Sequence, residues 1–340
     1  MRREKRGRST KLFFMIIVII GIIAIQVYYT YQEGITPLEP GAGHDIIVNI
    51  PSNVSAKEIG GILEQQKVIR SSWAFSLYTR FHGSESLKAG DYLLNSGSSV
   101  PQILDQLNDG KTLLYTFTIP EGYTVRQITD LLASKGFVDK EAFRKALATV
   151  PFDYDYLRGL PSNEKRLEGF LFPATYRIQR DTPPEDIVRM LVNRFNQELT
   201  PEVRARLKEL NMTVHDAVTL ASLVEREAAK EEDRPKIAAV FLNRLKKNMK
   251  LEACSTVQYL LDQPKAKLYY KDLEIESPYN TYKHGGLPPG PIASPGQASL
   301  KAVLYPDNVD YLYFVAKGDG YHYFSRTYSE HLQAMAKYNN

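Results

Sequence analysis

The sequence predicts an α+β protein with a single membrane-spanning helix at its N-terminus. Three observations lead to this fold class. A long apolar run without charge lies close to the N-terminus, a strand-and-helix pattern then occurs twice, and helical periodicity dominates from about residue 184 until a final hairpin pattern. With 340 residues, the chain is long enough for two or three small domains with buried cores.

The apolar run covers residues 12–32 and contains no charged residue. About twenty apolar residues suffice to cross a bilayer as a helix. Residues 1–11 hold six basic residues and one acidic residue, which leaves 37 basic and 38 acidic residues in the rest of the chain. This asymmetry predicts a cytoplasmic tail at 1–11, a single pass through the cell membrane, a Pro- and Gly-rich linker at 33–45 and an extracytoplasmic body. The nearly neutral body gives no reason to expect nucleic acid as a partner. A cleavable signal peptide is the alternative, but no A-x-A-like site follows the run.

An internal repeat follows the linker. Residues 48–69 match residues 117–138 at a constant offset, and each copy begins with a strand that ends in Ile-Pro. The pattern predicts a strand, a turn and then a helix, capped by Ser55 in the first copy and by Thr124 in the second. A small module of this kind, predicted at 46–112, resembles LysM-like domains that bind sugars. The alternative is a spacer that only sets the reach of the part that follows.

A second half-repeat supports the duplication. Residues 87–107 resemble residues 167–191, with Tyr92 in the position that Tyr176 takes in the second copy. Together the two half-repeats predict the order strand, helix, strand, helix, used twice.

The C-terminal part is predicted to be mainly helical. Three segments show helical patterns, at 182–199, 213–230 and 231–248; the first opens with prolines and an acidic first turn, and the second with a capping box from Thr213 to Asp216. The first half of residues 276–306 is too rich in Gly and Pro for regular structure, a property typical of functional loops. Within this segment, Ser294 and Pro295 predict a helix start. The turn Gly318-Asp319-Gly320 predicts a closing β-hairpin.

The helix at 213–230 carries two glutamates beside its apolar face. With residues placed about 100° apart, Glu225 and Glu227 both fall on the shoulders of the buried stripe. A carboxyl group partly shielded from water is suited to act as a general acid toward a glycosidic oxygen. The alternative is a pair of structural carboxylates, bound by Arg226, Arg234 or Arg244, and helix geometry alone does not choose between the two acids.

Other residues near this helix in sequence are candidates for contacts with a sugar. The run "YNTY" places Tyr279, Asn280 and Tyr282 so that aromatic faces alternate with amide and hydroxyl groups. The stiff, Pro-rich segment that follows includes Ser294, and Asn243 lies on the next predicted helix, at a spacing suited to hydrogen bonds with a ligand.

The sequence predicts neither a metal nor a cofactor. The single cysteine, Cys254, and six scattered histidines form no metal-ligand spacing, and one cysteine allows no internal disulfide. No GxSxG, HExxH, P-loop or Rossmann glycine pattern is present.

Several motifs, taken in order, resemble those of the endolytic murein transglycosylase (YceG-like) family. They are "EGFLFPATY" (168–176), "LASLVEREA" (220–228), "RPKIAAVFLNRL" (234–245), "STVQYLL" (255–261), "SPYNTYKHGGLPPGPIASPGQASLKAVLYP" (277–306) and "YLYFVAKGDGYHYFS" (311–325). The resemblance covers nearly the whole predicted ectodomain. It implies a catalytic region at 113–340, with a repeat-related α/β part at 115–195 and a glutamate-helix core at 196–340.

The resemblance also implies which residues act. It assigns the catalytic role to Glu227, the second glutamate of the E-x-E pattern, with Glu225 as a partner, and it places Thr256 and Gln258 among the substrate-binding residues. Two positions depart from the family pattern: Ala228 stands where Thr is common, and Cys254 lies where many members carry an Asp-Pro pair before the Thr. A second catalytic carboxylate at that position is therefore not expected.

The activity implied is cleavage of the MurNAc–GlcNAc bond in nascent peptidoglycan strands near the membrane. One glutamate suffices for this reaction, because the 6-hydroxyl of MurNAc closes on C1 and leaves a 1,6-anhydroMurNAc end. Peptidoglycan synthases and elongation proteins are then candidate partners. Two alternatives remain: a peptidoglycan-binding scaffold without turnover, and a hydrolase that uses water.

Overall fold

The computed structural model describes residues 3–41, 43–83, 87–261 and 263–338. Outside the described residues lie 1–2 of the predicted tail, 42 of the predicted linker, 84–86 of the predicted first module, and 262 and 339–340 of the predicted catalytic region. The described chain is α+β, as predicted, with fourteen α-helices and three two-stranded sheets. It divides into two compact units, one formed by residues up to 115 with 179–181 and the other by 116–178 with residues from 182 onward.

The first unit begins with the long apolar helix. Its elements are α1 (Arg3–Ile35), β1 (Asp45–Ile50), α2 (Ala56–Gln65), α3 (Ser72–His82), β2 (Gly90–Asn95) and α4 (Val100–Asp109). Within α1, Lys11–Ile35 is long and apolar enough to cross a membrane, and it is the one such helix among the described residues. The helix continues three residues into the segment predicted as a linker. There Gly34 packs so closely on α3 that an added Cβ would lie 2.6 Å from the Cβ of Ala74.

Strands β1 and β2 pair antiparallel, with Asp45 opposite Asn95 and Ile50 opposite Gly90. Their inner faces and the helices α2, α3 and α4 bury one apolar core, which includes Val48, Leu63 and Phe75. Val48 and Ile50 are both buried, because every second residue of a strand faces the same side.

The second unit contains the remaining elements. They are β3 (Tyr115–Thr118), α5 (Val125–Ser134), α6 (Lys140–Thr149), β4 (Thr175–Ile178), α7 (Pro184–Glu198), α8 (Pro201–Glu209), α9 (Val214–Glu227), α10 (Arg234–Lys246), α11 (Cys254–Leu260), α12 (Tyr270–Leu273), α13 (Gln297–Leu304), β5 (Tyr313–Ala316), β6 (His322–Ser325) and α14 (Tyr328–Tyr338). The hairpin predicted around residues 318–320 is formed by β5 and β6, which pair antiparallel.

The two copies of the repeat share their local structure. Ser55 and Thr124 cap helices α2 and α5, as the sequence predicts, and both caps are complete capping boxes. In each copy a buried tyrosine donates its hydroxyl hydrogen to the carbonyl oxygen four residues earlier, Tyr92 to residue 88 at 2.7 Å and Tyr176 to residue 172 at 2.6 Å. An additional helix, α3 or α6, lies between the two strands of each copy and was not predicted.

The three predicted C-terminal helices are present as α7, α9 and α10. Around α9, the apolar side chains of α10 and α13 close a single core, which includes Leu220, Leu223, Phe241 and Val303. This packing fixes the C-terminal end of α9, where both glutamates of interest lie.

Candidate active site at the end of the glutamate helix

Helix α9 begins and ends at positions that the sequence makes clear. Thr213 accepts a hydrogen bond from the backbone N–H of Asp216 at 3.0 Å and donates its own hydroxyl to the Asp216 carboxylate at 2.6 Å. The following stretch from 217 to 224 is buried. Glu227 is the last helical residue, and the extended backbone of Ala228 ends the helix.

Glu225 is nearly enclosed, with its side chain 6% exposed. Its Oε1 accepts a hydrogen bond from Nη2 of Arg234 at 2.8 Å. Its Oε2 accepts from the Ser299 hydroxyl at 2.8 Å and from the Gly296 backbone N–H at 3.0 Å. Both oxygens are therefore used to join α9 to α10 and to the start of α13. The alternative reading from the sequence, a carboxylate paired with Arg234, is confirmed for Glu225.

The second glutamate is held less completely. Glu227 is half-buried, and its Oε1 accepts a hydrogen bond from the backbone N–H of Ser255, at the start of α11, at 3.0 Å. Among the described residues, nothing donates to its Oε2. One oxygen is thus fixed by the protein, and the other is available to a substrate.

Polar groups of α11 and the "YNTY" loop surround Glu227. The Sγ of Cys254, next to Ser255, lies 3.1 Å from the hydroxyl oxygen of Tyr282. Burial, together with the neighbouring Cys254 and the negative charge of Glu227, raises the pKa of the Tyr282 hydroxyl above its usual range. The hydroxyl of Tyr282 is therefore a protonated neighbour of the Glu227 carboxylate.

A cavity of about 140 Å³ is lined in part by Ser255, whose backbone N–H binds Glu227, and by Arg226, the residue before Glu227. The cavity also contains Glu168, which is 5% exposed. Glu168 accepts hydrogen bonds from the backbone N–H of Val125 at 2.9 Å and from the Tyr259 hydroxyl at 3.1 Å. Burial raises the pKa of Glu168 to about 7.

Sequence reasoning did not select Glu168 as a functional residue. The available signal was an acid that directly follows Leu167 and precedes the apolar run that begins at Phe170, within the first motif shared with the family. Both neighbours are buried, so an acid between them needs partners inside the protein.

Several predicted substrate-binding residues are used to build the loop itself. Asn280 is fully buried, and its amide donates at 2.8 Å to the carbonyl oxygens of residues 273 and 275. Thr256 is also fully buried, donates its hydroxyl to the Ala253 carbonyl oxygen at 2.7 Å and lies 3.0 Å from the Thr281 hydroxyl. These side chains fix the shape of the loop around Glu227.

The remaining predicted residues lie at varying distances from this centre. Gln258 lines the cavity and forms two hydrogen bonds with the backbone of Lys265. The ring of Tyr279 packs on that of Tyr259, with centroids 5.3 Å apart. By contrast, the Asn243 amide donates to the carbonyl oxygens of residues 309 and 311 and so holds the segment before β5.

The predicted helix start at Ser294 is wrong. Helix α13 begins at Gln297, and its N-cap is Gly296, whose N–H is bonded to Glu225. Ser294 is fully buried and uses its backbone to bind Gly122 and Tyr123, while its hydroxyl has no partner among the described residues.

No group of three or more His, Cys, Asp or Glu side chains within the described parts of the chain is arranged to hold a metal ion. The candidate site therefore consists of a carboxylate with one open oxygen, a protonated tyrosine and an adjoining cavity. This arrangement is suited to the transfer of a proton to and from a bound ligand.

Comparisons with known proteins agree with the family resemblance in the sequence. Residues 48–337 match the model of the YceG-like family. The endolytic murein transglycosylase of Bacillus subtilis (strain 168) is 38% identical over 314 residues, which cover 89% of this chain and 87% of that protein. The protein of the same name from Streptococcus pneumoniae serotype 2 (strain D39) is 33% identical over 360 residues, and the match covers 95% of this chain but 64% of the streptococcal protein. A crystal structure of a yceG-like protein from Listeria monocytogenes matches with a TM-score of 0.58 at 38% identity, covering 85% of this chain and 98% of that one.

Proposed function

The chain belongs to the YceG-like family, and from this membership we propose that it is a lytic transglycosylase that cuts murein glycan strands internally. The observation that carries the proposal is the half-bound carboxylate of Glu227. Its Oε1 is held by the Ser255 N–H, and its Oε2 accepts no hydrogen bond from the described residues. A general acid must be fixed in place and must also keep one oxygen free to reach the substrate.

In the proposed reaction, Glu227 acts first as an acid and then as a base. It protonates the oxygen that leaves C1 of MurNAc, and the C1–O bond breaks. The carboxylate so formed accepts the proton of the 6-hydroxyl of the same sugar while the oxygen of this hydroxyl bonds to C1. The products are a 1,6-anhydroMurNAc end and a free GlcNAc hydroxyl, and Glu227 returns to its protonated state.

This scheme explains why one free carboxylate is enough. Ordinary glycosidases need two carboxyl groups, the second of which activates water or attacks C1. The acid nearest to Glu227 in the sequence is Glu225, and both of its oxygens accept hydrogen bonds, from Arg234, Ser299 and Gly296. The 6-hydroxyl of the substrate takes the place of that second group.

The remaining substrate contacts are also proposed. The phenolic rings of Tyr279 and Tyr282 would contact the sugar rings. Thr256, Asn280 and Ser294 would fix the backbone that surrounds the substrate. Gln258 would face the substrate from the cavity wall, and Glu225 would support Glu227 through the fixed end of α9. Asn243 would act at a greater distance, through the segment at 309–311 that it holds.

We further propose that α1 anchors the enzyme in the cell membrane. The basic residues before the apolar run favour a cytoplasmic N-terminus, which places the catalytic region (113–340) outside the cytoplasm. The module at 46–112 would then be a LysM-like sugar-binding domain close to the bilayer, joined to the apolar run through the segment at 33–45, whose first three residues continue α1. An anchored enzyme would meet newly made strands where peptidoglycan synthases and elongation proteins work, which makes these proteins candidate partners.

Digestion of purified glycan strands by the full chain in detergent tests the proposal. Mass spectrometry of the products distinguishes three outcomes. Ends of the 1,6-anhydroMurNAc type support the transglycosylase, and reducing ends without the anhydro ring would replace it with a hydrolase. Strands that are bound but remain intact would replace it with a non-catalytic scaffold.

A further inference from the structure

The cavity beside Glu227 has an unusual distribution of charge. Four basic side chains line it, contributed by α5, α6, the turn at 164–168 and α9; they are Arg126, Arg144, Lys165 and Arg226. Of the acidic side chains in the described part of the chain, two line the same wall, Glu164 and Glu168.

Neither acidic side chain neutralises the mouth of the cavity. Glu168 is buried, and both of its oxygens are bonded to Val125 and Tyr259. Since burial raises its pKa to about 7, this group is only partly ionised at neutral pH. The carboxylate of Glu164 lies 3.4 Å from Nε of Arg144, and Nη1 of the same arginine forms an ion pair with Glu141.

Two of the cations remain available to a ligand. Lys165 and Arg226 are both exposed, and neither forms an ion pair with any acid in the described parts of the chain. Lys165 faces the Tyr259 ring at 5.9 Å, and Nη1 of Arg226 makes only a long contact, 3.4 Å, to the Gly122 carbonyl oxygen. Two solvated cations at the mouth of a small cavity attract an anionic group.

The location relates this charge to the reaction. Ser255 is part of the cavity wall and also donates its N–H to Glu227. Arg226 directly precedes Glu227 in the chain. A ligand group in the cavity is therefore adjacent to the sugar whose C1 reacts at Glu227.

We propose that this cavity is a subsite for the peptide carried by the reacting muramic acid, and that Lys165 and Arg226 bind a carboxylate of that peptide. The sugars of the glycan backbone are neutral, because the lactyl carboxyl on the same ring as C1 forms an amide with the peptide. The carboxylates of the peptide are thus the anionic groups of the substrate that lie nearest to the reacting bond. The inference rests on the proposed function, because it assigns a substrate group to the same site.

The test compares two forms of one substrate, using the full chain in detergent. One form is glycan strands that carry their peptides, and the other is the same strands after the peptide carboxylates have been coupled to methylamine, which removes their charge and leaves the lactyl amide intact. Lys165→Gln should raise KM about fivefold on the unmodified strands and change it less than twofold on the amidated strands, the scale of one exposed ionic contact. Lys165→Arg should restore the wild-type KM. Arg226→Gln should raise KM selectively on the strands whose peptide carboxylates are free.

Lys145→Gln is the matched control, because Lys145 is exposed on α6 and does not line the cavity. Its KM should equal that of the unaltered protein on both substrates. Equal effects of Lys165→Gln on the two substrates, or no effect on either, would overturn the subsite and leave the proposed function intact. If the unaltered protein released no new ends from either substrate, the proposed function would fail, and the subsite with it.

Discussion

The two ends of the Glu-Arg-Glu run on α9 are surrounded by different kinds of structure. At Glu225, three donors from α10 and the start of α13 occupy both carboxylate oxygens. At Glu227, a single backbone N–H, from Ser255 on the cavity wall, holds one oxygen, and no described residue donates a hydrogen bond to the other. Two identical side chains, two residues apart, thus have different capacities: the first stabilises the junction of three helices, and the second is left available for chemistry.

Replacement of Glu227 by Gln should have the largest effect on activity. The amide keeps the shape and can still accept the hydrogen bond from Ser255, but it cannot donate a proton as an acid. We expect turnover to fall by about a hundredfold to ten-thousandfold, the range for removal of a general acid. The release of new strand ends, followed by mass spectrometry, measures this loss. Glu232→Gln, at an exposed acid nearby, should leave turnover unchanged. If the Glu227→Gln variant retained more than half of the turnover of the unaltered protein, Glu227 would be excluded as the general acid.

Replacement of Glu225 by Ala should instead act on stability. Arg234, whose side chain is 13% exposed, would lose its close carboxylate partner and keep only the longer contact of 3.9 Å to Glu121. Breaking a buried ion pair from one side costs about 4 kcal/mol in the free energy of unfolding. Urea unfolding monitored by near-UV circular dichroism measures this loss. Glu232→Ala, at an exposed acid, is the control and should leave the free energy of unfolding nearly unchanged. A loss below about 1 kcal/mol would mean that the junction does not depend on the pair.

Glu168 provides a pH-dependent test of the cavity next to Glu227. In the unfolded chain this carboxyl ionises near 4.5, whereas in the folded chain its pKa is raised to about 7. Between these values the folded state binds more protons, so the free energy of unfolding should fall as the pH rises through this window, by up to about 3 kcal/mol. Glu168→Gln should abolish most of this decrease, and the exposed Glu164→Gln should retain it. Urea midpoints measured from pH 4.5 to 8 decide the question, and identical slopes in all three proteins would contradict it.

The smallest effect is expected at Cys254, although its Sγ lies close to Tyr282 and next to Ser255. Cys254→Ser replaces the thiol by a hydroxyl, which can also form a hydrogen bond with Tyr282. No proposed step uses the thiol. Turnover should remain within about twofold of the unaltered protein, as for most exposed substitutions. A loss comparable to that of Glu227→Gln would instead place the thiol in the mechanism.

Local signals allowed much of the fold to be predicted from the sequence. The caps at Ser55, Thr124 and Thr213 and the turn at 318–320 lie where expected, because each depends on residues within a few positions of one another. The family resemblance is also confirmed, since an ordered series of motifs carries more information than any single one.

Features that depend on distant contacts could not be predicted. The difference between Glu225 and Glu227 arises from Gly296, Ser299 and Ser255, all remote in the sequence from α9. The error at Ser294 has the same origin: the residues resemble a helix start, but the bond from Gly296 to Glu225 fixes the true start two residues later. The catalytic assignment of Glu227 stays a prediction until its variant is measured.

The close contact of Gly34 with Ala74 has a mechanical consequence if α1 spans the membrane as proposed. A helix rises 1.5 Å per residue, so Gly34 lies only about 3 Å beyond the end of the uncharged run at Gln32. The rest of the first unit is therefore attached directly to the anchor, with no flexible segment before the first packing contact. It would turn and diffuse together with the anchor in the plane of the bilayer, and its height above the lipid would be set by the packing of two helices. A bulky side chain at position 34 would change that height before it changed any chemistry.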